Sequence, residues 1–124
     1  FGTQTAGVGV GGNYPASAAT YEYDGSSWTA GNNIPGARRA HGAFGILTAG
    51  AICGGYSPSA GTLSETLTYD GTNWAASTNL GTGRNGLGGS GTQASGLVAG
   101  GHPQLQTTEE FTGETKPART FDVS

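Results

Sequence analysis

Imidazole and thiolate are the side chains that most often hold transition metals or act as bases and nucleophiles near neutral pH. The chain offers three: His41, His102 and Cys53. None has another histidine, cysteine or carboxylate at a metal-ligand spacing, so the sequence predicts no metal and no other cofactor. Cys53 directly precedes a glycine doublet, at a position filled by Val10 and Ala99 elsewhere, and reads as a small core residue. A lone cysteine forms no intrachain disulfide and leaves the redox compartment open. The carboxylates fit a structural role. Asp24 and Asp70 belong to turns, while Glu109 and Glu110 are neighbours whose side chains leave a strand on opposite faces. Glycosidase chemistry needs two acids facing one bond, and no such pair recurs. The serines have no His and acid partners in a recognised motif, and Gly86 to Gly91 lacks the lysine and following helix of a phosphate loop. The expectation is a protein that is not an enzyme.

Repetition is the better clue to binding. Asn33 and Arg38 recur as Asn79 and Arg84, 46 residues on, in loops that follow Trp28 and Trp74. Such loops are the usual contact surface of a repeat array, and these four residues are the candidate ligand-binding set. An arginine there also suits a second task, tethering neighbouring units through loop carbonyls. Trp28 and Trp74 have the shape to stack on sugars, but a tryptophan beside glycine-rich strands fits packing between units better.

The elements that carry these residues are legible as a repeat. Tyr23-Asp24-Gly25-Ser26-Ser27-Trp28 returns as Tyr69-Asp70-Gly71-Thr72-Asn73-Trp74, and a faded third copy begins at Phe111 and puts Lys116 where tryptophan should stand. Glycine doublets at Gly11-Gly12, Gly54-Gly55 and Gly100-Gly101 form a second ruler, with intervals of 43 and 46 residues. Short apolar runs of small residues precede each doublet and predict strands covered on both faces, where glycine and alanine let sheets approach closely. Thr-rich and aromatic segments ending at Tyr23, Tyr69 and Phe111 predict further strands, and Asp-Gly predicts a tight hairpin after the first two. Each unit thus supplies four short strands: one rich in glycine, one ending at the doublet, one ending in an aromatic, and one returning through tryptophan.

Composition agrees. With 25 glycines, 10% charged residues and no stretch of helical periodicity, helix is disfavoured, while two Trp, five Tyr and four Phe oppose disorder. A net charge of −3 with scattered cations offers no field for nucleic acid. No apolar run is long enough to span a membrane as a helix.

Four antiparallel strands every 43 to 46 residues is the pattern of a β-propeller blade. The doublets followed by Tyr23 and Trp28, and by Tyr69 and Trp74, resemble kelch repeats, in particular the short glycine-rich arrays of bacteriophage tail fibres and virions. The Asp-Gly-x-x-Trp turn is also similar to the Asp-box hairpin of sialidases, with one residue fewer between Asp and Gly. The kelch resemblance implies an all-β fold of four-stranded antiparallel blades. It divides residues 1–34 as a partial first unit, 35–80 as a full repeat and 81–124 as a degenerate C-terminal capping unit, about two and a half blades. Closed propellers have roughly four to eight. Self-association or a missing N-terminal part would complete the ring, and the atypical final unit, which fits a terminal cap, favours the latter. By the same resemblance the protein is a virion or extracellular binding module whose partners are a host-surface glycan or other virion proteins. The rivals are a kelch-type scaffold for protein partners, or a fragment of a carbohydrate-active enzyme with its active site elsewhere. Galactose oxidase is the kelch-type enzyme to weigh, but its copper site needs a converging set of histidines, tyrosines and cysteine that these positions do not supply.

Overall fold

A computed structural model describes residues 1–12, 15–103, 106–112 and 119–122. Among them every regular element is a β-strand. Three four-stranded antiparallel sheets follow one another, each a simple meander with its strands side by side in chain order. The first holds β1 (Gly2–Thr3), β2 (Ala6–Val10), β3 (Thr20–Tyr23) and β4 (Trp28–Ala30). The middle one opens with β5 (Gly42–Ile46) and β6 (Ala49–Cys53). A separate small hairpin of β7 (Tyr56–Ser57) and β8 (Gly61–Thr62) interrupts it before β9 (Thr66–Tyr69) and β10 (Trp74–Ser77). The last sheet holds β11 (Gly88–Thr92), β12 (Ser95–Ala99), β13 (Thr107–Phe111) and β14 (Arg119–Asp122).

Two details differ from the sequence-based expectation. The segment after Gly55, expected to be a plain polar link, forms the β7–β8 hairpin. The last sheet gains its fourth strand although its unit lacks tryptophan, because β13 presents a full edge that pairs from Thr107 to Glu110. Lys116 itself lies outside the described residues.

The registers are equivalent from sheet to sheet. Gly7 stands opposite Tyr23, Gly50 opposite Tyr69, and Gly96 opposite Phe111. Because successive side chains alternate between faces, this register sorts every strand residue onto one of two faces. Phe1, Val8, Val10, Thr20 and Glu22 leave the first sheet towards the middle one. There Ile52 and Leu67 close one apolar cluster with Ile34, Phe1, Val10, Ala43 and Trp74. From its other face the middle sheet sends Phe44, Ala51 and Cys53 to meet Val98 and Phe111 of the last sheet, with Leu80 and Leu87. The core is therefore two thin apolar layers between three sheets. The two central strands of the middle sheet have a neighbouring sheet on each side, which is why Thr66 to Tyr69 is buried throughout, whereas Ile46, Ala75 and Ala76 on its outer strands are exposed.

Glycine decides how closely the layers approach. The ring of Phe1 lies where a Cβ on Gly50 would be, and the ring of Phe44 lies where a Cβ on Gly96 would be. The glycines opposite Tyr69 and Phe111 thus serve as seats for an aromatic side chain sent from the preceding sheet.

Candidate functional site

The repeated loops that carry the candidate residues are stitched by a repeated backbone pattern. In the first, Ile34 N–H donates to Ala18, Arg38 N–H donates to Ser17, and the Arg38 carbonyl accepts from Gly12. In the second, Leu80 donates to Ser64, Arg84 donates to Leu63, and the Arg84 carbonyl accepts from Gly55. The aliphatic residue is thereby pinned under the sheet, and the arginine is anchored against the doublet. Gly11 and Gly54 adopt φ of +70° and +67°, and a Cβ on either would strike the carbonyl of Arg38 or Arg84 respectively. The doublet exists so that this loop can lie against it.

From that anchored backbone each arginine reaches forward into the next sheet. The Arg84 guanidinium donates to the carbonyls of Gly100 and Thr107 at 3.1 and 2.9 Å, to Thr107 Oγ1 at 3.0 Å, and to Glu109 Oε2 at 2.8 Å. Both members of the Arg84–Glu109 pair are wholly buried. The remaining acceptor capacity of Glu109 is taken by the N–H groups of Gly81 and Thr82, so this charge pair is embedded in a nearly complete hydrogen-bond set. Only Arg84 Nε lacks a partner there. Arg38 makes the equivalent reach to Glu65, at 2.6 Å, and donates to the Gly36 carbonyl. Arg38 is buried while Glu65 is 42% exposed. Asn33 and Asn79, five residues before their arginines, are exposed.

The turns repeat as faithfully. Asp24 Oδ1 accepts the N–H groups of Ser26 and Ser27, both at 2.8 Å, and Asp70 Oδ1 accepts those of Thr72 and Asn73 at 2.8 and 2.7 Å. Tyr23 pairs with Trp28 and Tyr69 with Trp74, so the loop is four residues long rather than the two-residue turn that Asp-Gly suggests. Glycine supplies the positive φ, +99° at both Gly25 and Gly71, while aspartate works through its carboxylate. These hydrogen bonds hold both carboxyls below their ordinary range, with the second N–H in each turn the larger cause.

The two tryptophans have different surroundings. Trp74 stacks against Tyr69, meets Phe1 edge-on at 6.3 Å between centroids, and donates from Nε1 to Thr20 Oγ1 at 3.0 Å. It bridges two sheets. Trp28 stacks on Tyr23 in the same way but is 59% exposed. Tyr69 donates its hydroxyl to Glu22 of the first sheet, and burial, then that carboxylate, pushes the phenol well above its usual range.

The groups first considered for chemistry are scattered. Cys53 is buried against the last sheet, and burial pushes its thiol up to about 12, which leaves it unreactive as a nucleophile. His41 packs against Gly11 and shares a hydrogen bond with the Val10 carbonyl at 3.0 Å; burial lowers its pKa. His102 exchanges backbone hydrogen bonds with Asn85. Among the described residues no three His, Cys, Asp or Glu side chains converge. Sequence reasoning missed the Arg84–Glu109 pair and the Phe–Gly seats. The 43-residue interval between Phe1 and Phe44, equal to that between the first two doublets, was the available signal.

No protein-family model matches the chain, and no curated protein sequence matches it.

Proposed function

We propose that the three sheets are successive kelch-like blades, and that the protein is a non-enzymatic structural or adhesive module of a bacteriophage virion. Its contact would be a host-surface glycan or a neighbouring virion protein. The observation that carries this reading is the division of labour in the repeated loops. Each arginine is drawn inward to hold the next sheet, and the asparagine five residues earlier is left at the surface.

An exposed carboxamide both donates and accepts, which suits sugar hydroxyls, and the absence of charge at these loop positions suits a neutral polymer. One such site is weak. Equivalent sites on a rigid repeat act together, so avidity replaces single-site affinity. In this reading Arg38 and Arg84 set the position of the loops and do not touch the ligand.

Glycan arrays and host cells probed with the purified protein test this, alongside an Asn33→Ala, Asn79→Ala double variant. Binding that the double variant loses, with unchanged thermal stability, supports the adhesive role. Binding that persists in the variant, or an absence of binding with cross-links to a virion protein instead, rejects glycan contact through these loops. Turnover of the bound glycan would overturn the non-enzymatic reading.

A further inference from the structure

His41 has an equivalent in the next unit, Leu87, 46 residues on. Both stand three residues after the repeated arginine, and both are wedged in the same way between two doublets. A Cβ on Gly11 would lie 2.9 Å from His41 Nε2, and one on Gly55 would lie 3.1 Å from His41 Cβ. One unit later, a Cβ on Gly54 would lie 3.2 Å from Leu87 Cδ2, and one on Gly101 would lie 3.3 Å from Leu87 Cβ. Beside each wedge, the residue after the arginine ties its loop to the next sheet. Arg39 and Tyr56 exchange backbone hydrogen bonds at 3.0 and 2.8 Å, and Asn85 and His102 do the same at 3.2 and 2.6 Å. Two junctions of the same build thus differ at the wedge, an imidazole in the first and an aliphatic side chain in the second.

The imidazole is held in its neutral form. Nε2 lies 3.0 Å from the Val10 carbonyl, and a carbonyl only accepts, so the neutral ring carries its proton there. Nδ1 is buried and has no hydrogen-bond partner. A second proton would go on Nδ1, enclosed without an acceptor, and a buried charge left unpaired in this way is costly. The charges bearing on the ring are Arg38, itself paired with Glu65, and the amino group of Phe1. Burial is the largest influence on the ring and lowers its pKa from 6.5; the backbone of Val10 and Gly42 opposes that shift, and the two cations add to it.

We propose that His41 is a pH-sensitive wedge: protonation of its ring loosens the tie between the first and middle sheets, while the tie between the middle and last sheets, held by Leu87, is unchanged. The opened junction takes up the proton near 6.5, whereas the closed one resists it to a lower pH. The open state therefore binds more protons below 6.5, and the tie weakens as pH falls from that value towards the lower pKa of the closed state. This range lies above the one in which Asp24 and Asp70, with an ordinary value of 3.8, act on the hairpins. The loop that loosens also carries Asn33, so acid shifts one of the two candidate contact sites and not the other. The wedge rests on the packing of the doublets and not on glycan binding, so failure of either proposal leaves the other standing.

Amide hydrogen exchange followed by NMR at about pH 7.5 and about pH 5.5, on either side of the ordinary imidazole value, tests it. With rates corrected for the pH dependence of an unstructured peptide, protection at Gly12, Arg39 and Tyr56 is expected to fall several-fold, and at most about tenfold at one pH unit below 6.5. Gly55 and Asn85, which make the equivalent bonds in the second junction, are expected to keep theirs. His41→Leu copies the second junction into the first and should remove the difference. If circular dichroism shows that variant unfolded, His41→Gln takes its place, keeping a neutral donor for the Val10 carbonyl. Protection that stays constant in the wild type, that falls equally at both junctions, or that falls as far in the folded variant would each overturn the proposal.

Discussion

The ring of Phe44 occupies the space that a Cβ on Gly96 would need, and so the glycine of one sheet is the seat for the aromatic of the sheet before it. Phe44 is held there against Phe111 at 5.9 Å between ring centroids, within one of the two apolar layers. Overpacking of a filled site costs about 1 to 3 kcal/mol. Gly96→Ala is therefore expected to destabilise the protein by about that amount. Gly7→Ala, at the same register position in the first sheet, places its methyl no nearer than 3.3 Å to the Thr3 carbonyl oxygen and 3.7 Å to Tyr23. Urea denaturation should show a much smaller change for it; equal losses at both glycines would refute the seating role.

Arg84 and Glu109 present a different balance. Removing one partner of a buried pair strands the other, at about 3 to 5 kcal/mol. Arg84→Met should show such a loss. In the middle sheet the Glu109 position is held by Leu67 without difficulty, so adding Glu109→Leu should recover much of it, even though the N–H groups of Gly81 and Thr82 lose their acceptor. Arg38→Ala releases only a half-exposed Glu65 and is expected to cost about 1 kcal/mol. A double variant no more stable than Arg84→Met would place the energy in the arginine's bonds to Gly100 and Thr107 instead.

The strand plan was legible because two copies of the Tyr-Asp-Gly-x-x-Trp phrase and three doublets mark the same positions in every sheet. Contacts between sheets were harder to read. The first two strands of the first and middle sheets are offset by 43 residues, whereas their last two are offset by 46, because the link after each doublet differs in length. Phe1 and Phe44 therefore do not share the spacing of the tryptophans, and Ser90 removes the third member of their series. Glu109 was hidden for a related reason. It stands at the Leu67 position only after a further shift in register, and two adjacent glutamates on opposite faces of a strand do not tell which of the two faces is buried. Arginine at a repeated loop position suggested either binding or tethering, and burial favours tethering for Arg84.

Acid should weaken the hairpins through a charge that the turns prefer. The folded structure holds the Asp24 and Asp70 carboxyls below their ordinary value of 3.8, because N–H groups of the turn bond to the ionised form. A group depressed in the folded state contributes stability at neutral pH, and that contribution is constant above the unfolded value. It is lost as pH falls through the lower folded value. An Asp24→Asn, Asp70→Asn variant should retain much of the turn through its amide oxygens while showing a shallower decline of stability below pH 3.8. Urea midpoints measured over a pH series test this, and a decline as steep as that of the wild type would assign the acid sensitivity to other carboxylates.

The two tryptophans separate the energy of a sheet from that of its stacking. Both lie at the start of a returning strand, opposite the same tyrosine and after the same turn, so whatever the hairpin needs from tryptophan is common to them. Only Trp74 also meets Phe1 and donates to Thr20 in the preceding sheet. Truncating a packed aromatic costs about 3 to 5 kcal/mol, and Trp74→Ala should fall near the lower end, since the ring is only half-buried. Trp28→Ala should cost under about 1 kcal/mol, as an exposed side chain usually does. A difference of this size would put the stability of the middle sheet in its contacts with its neighbours. Similar losses for the two would put it in the hairpin, and the sheets would then be stable one at a time.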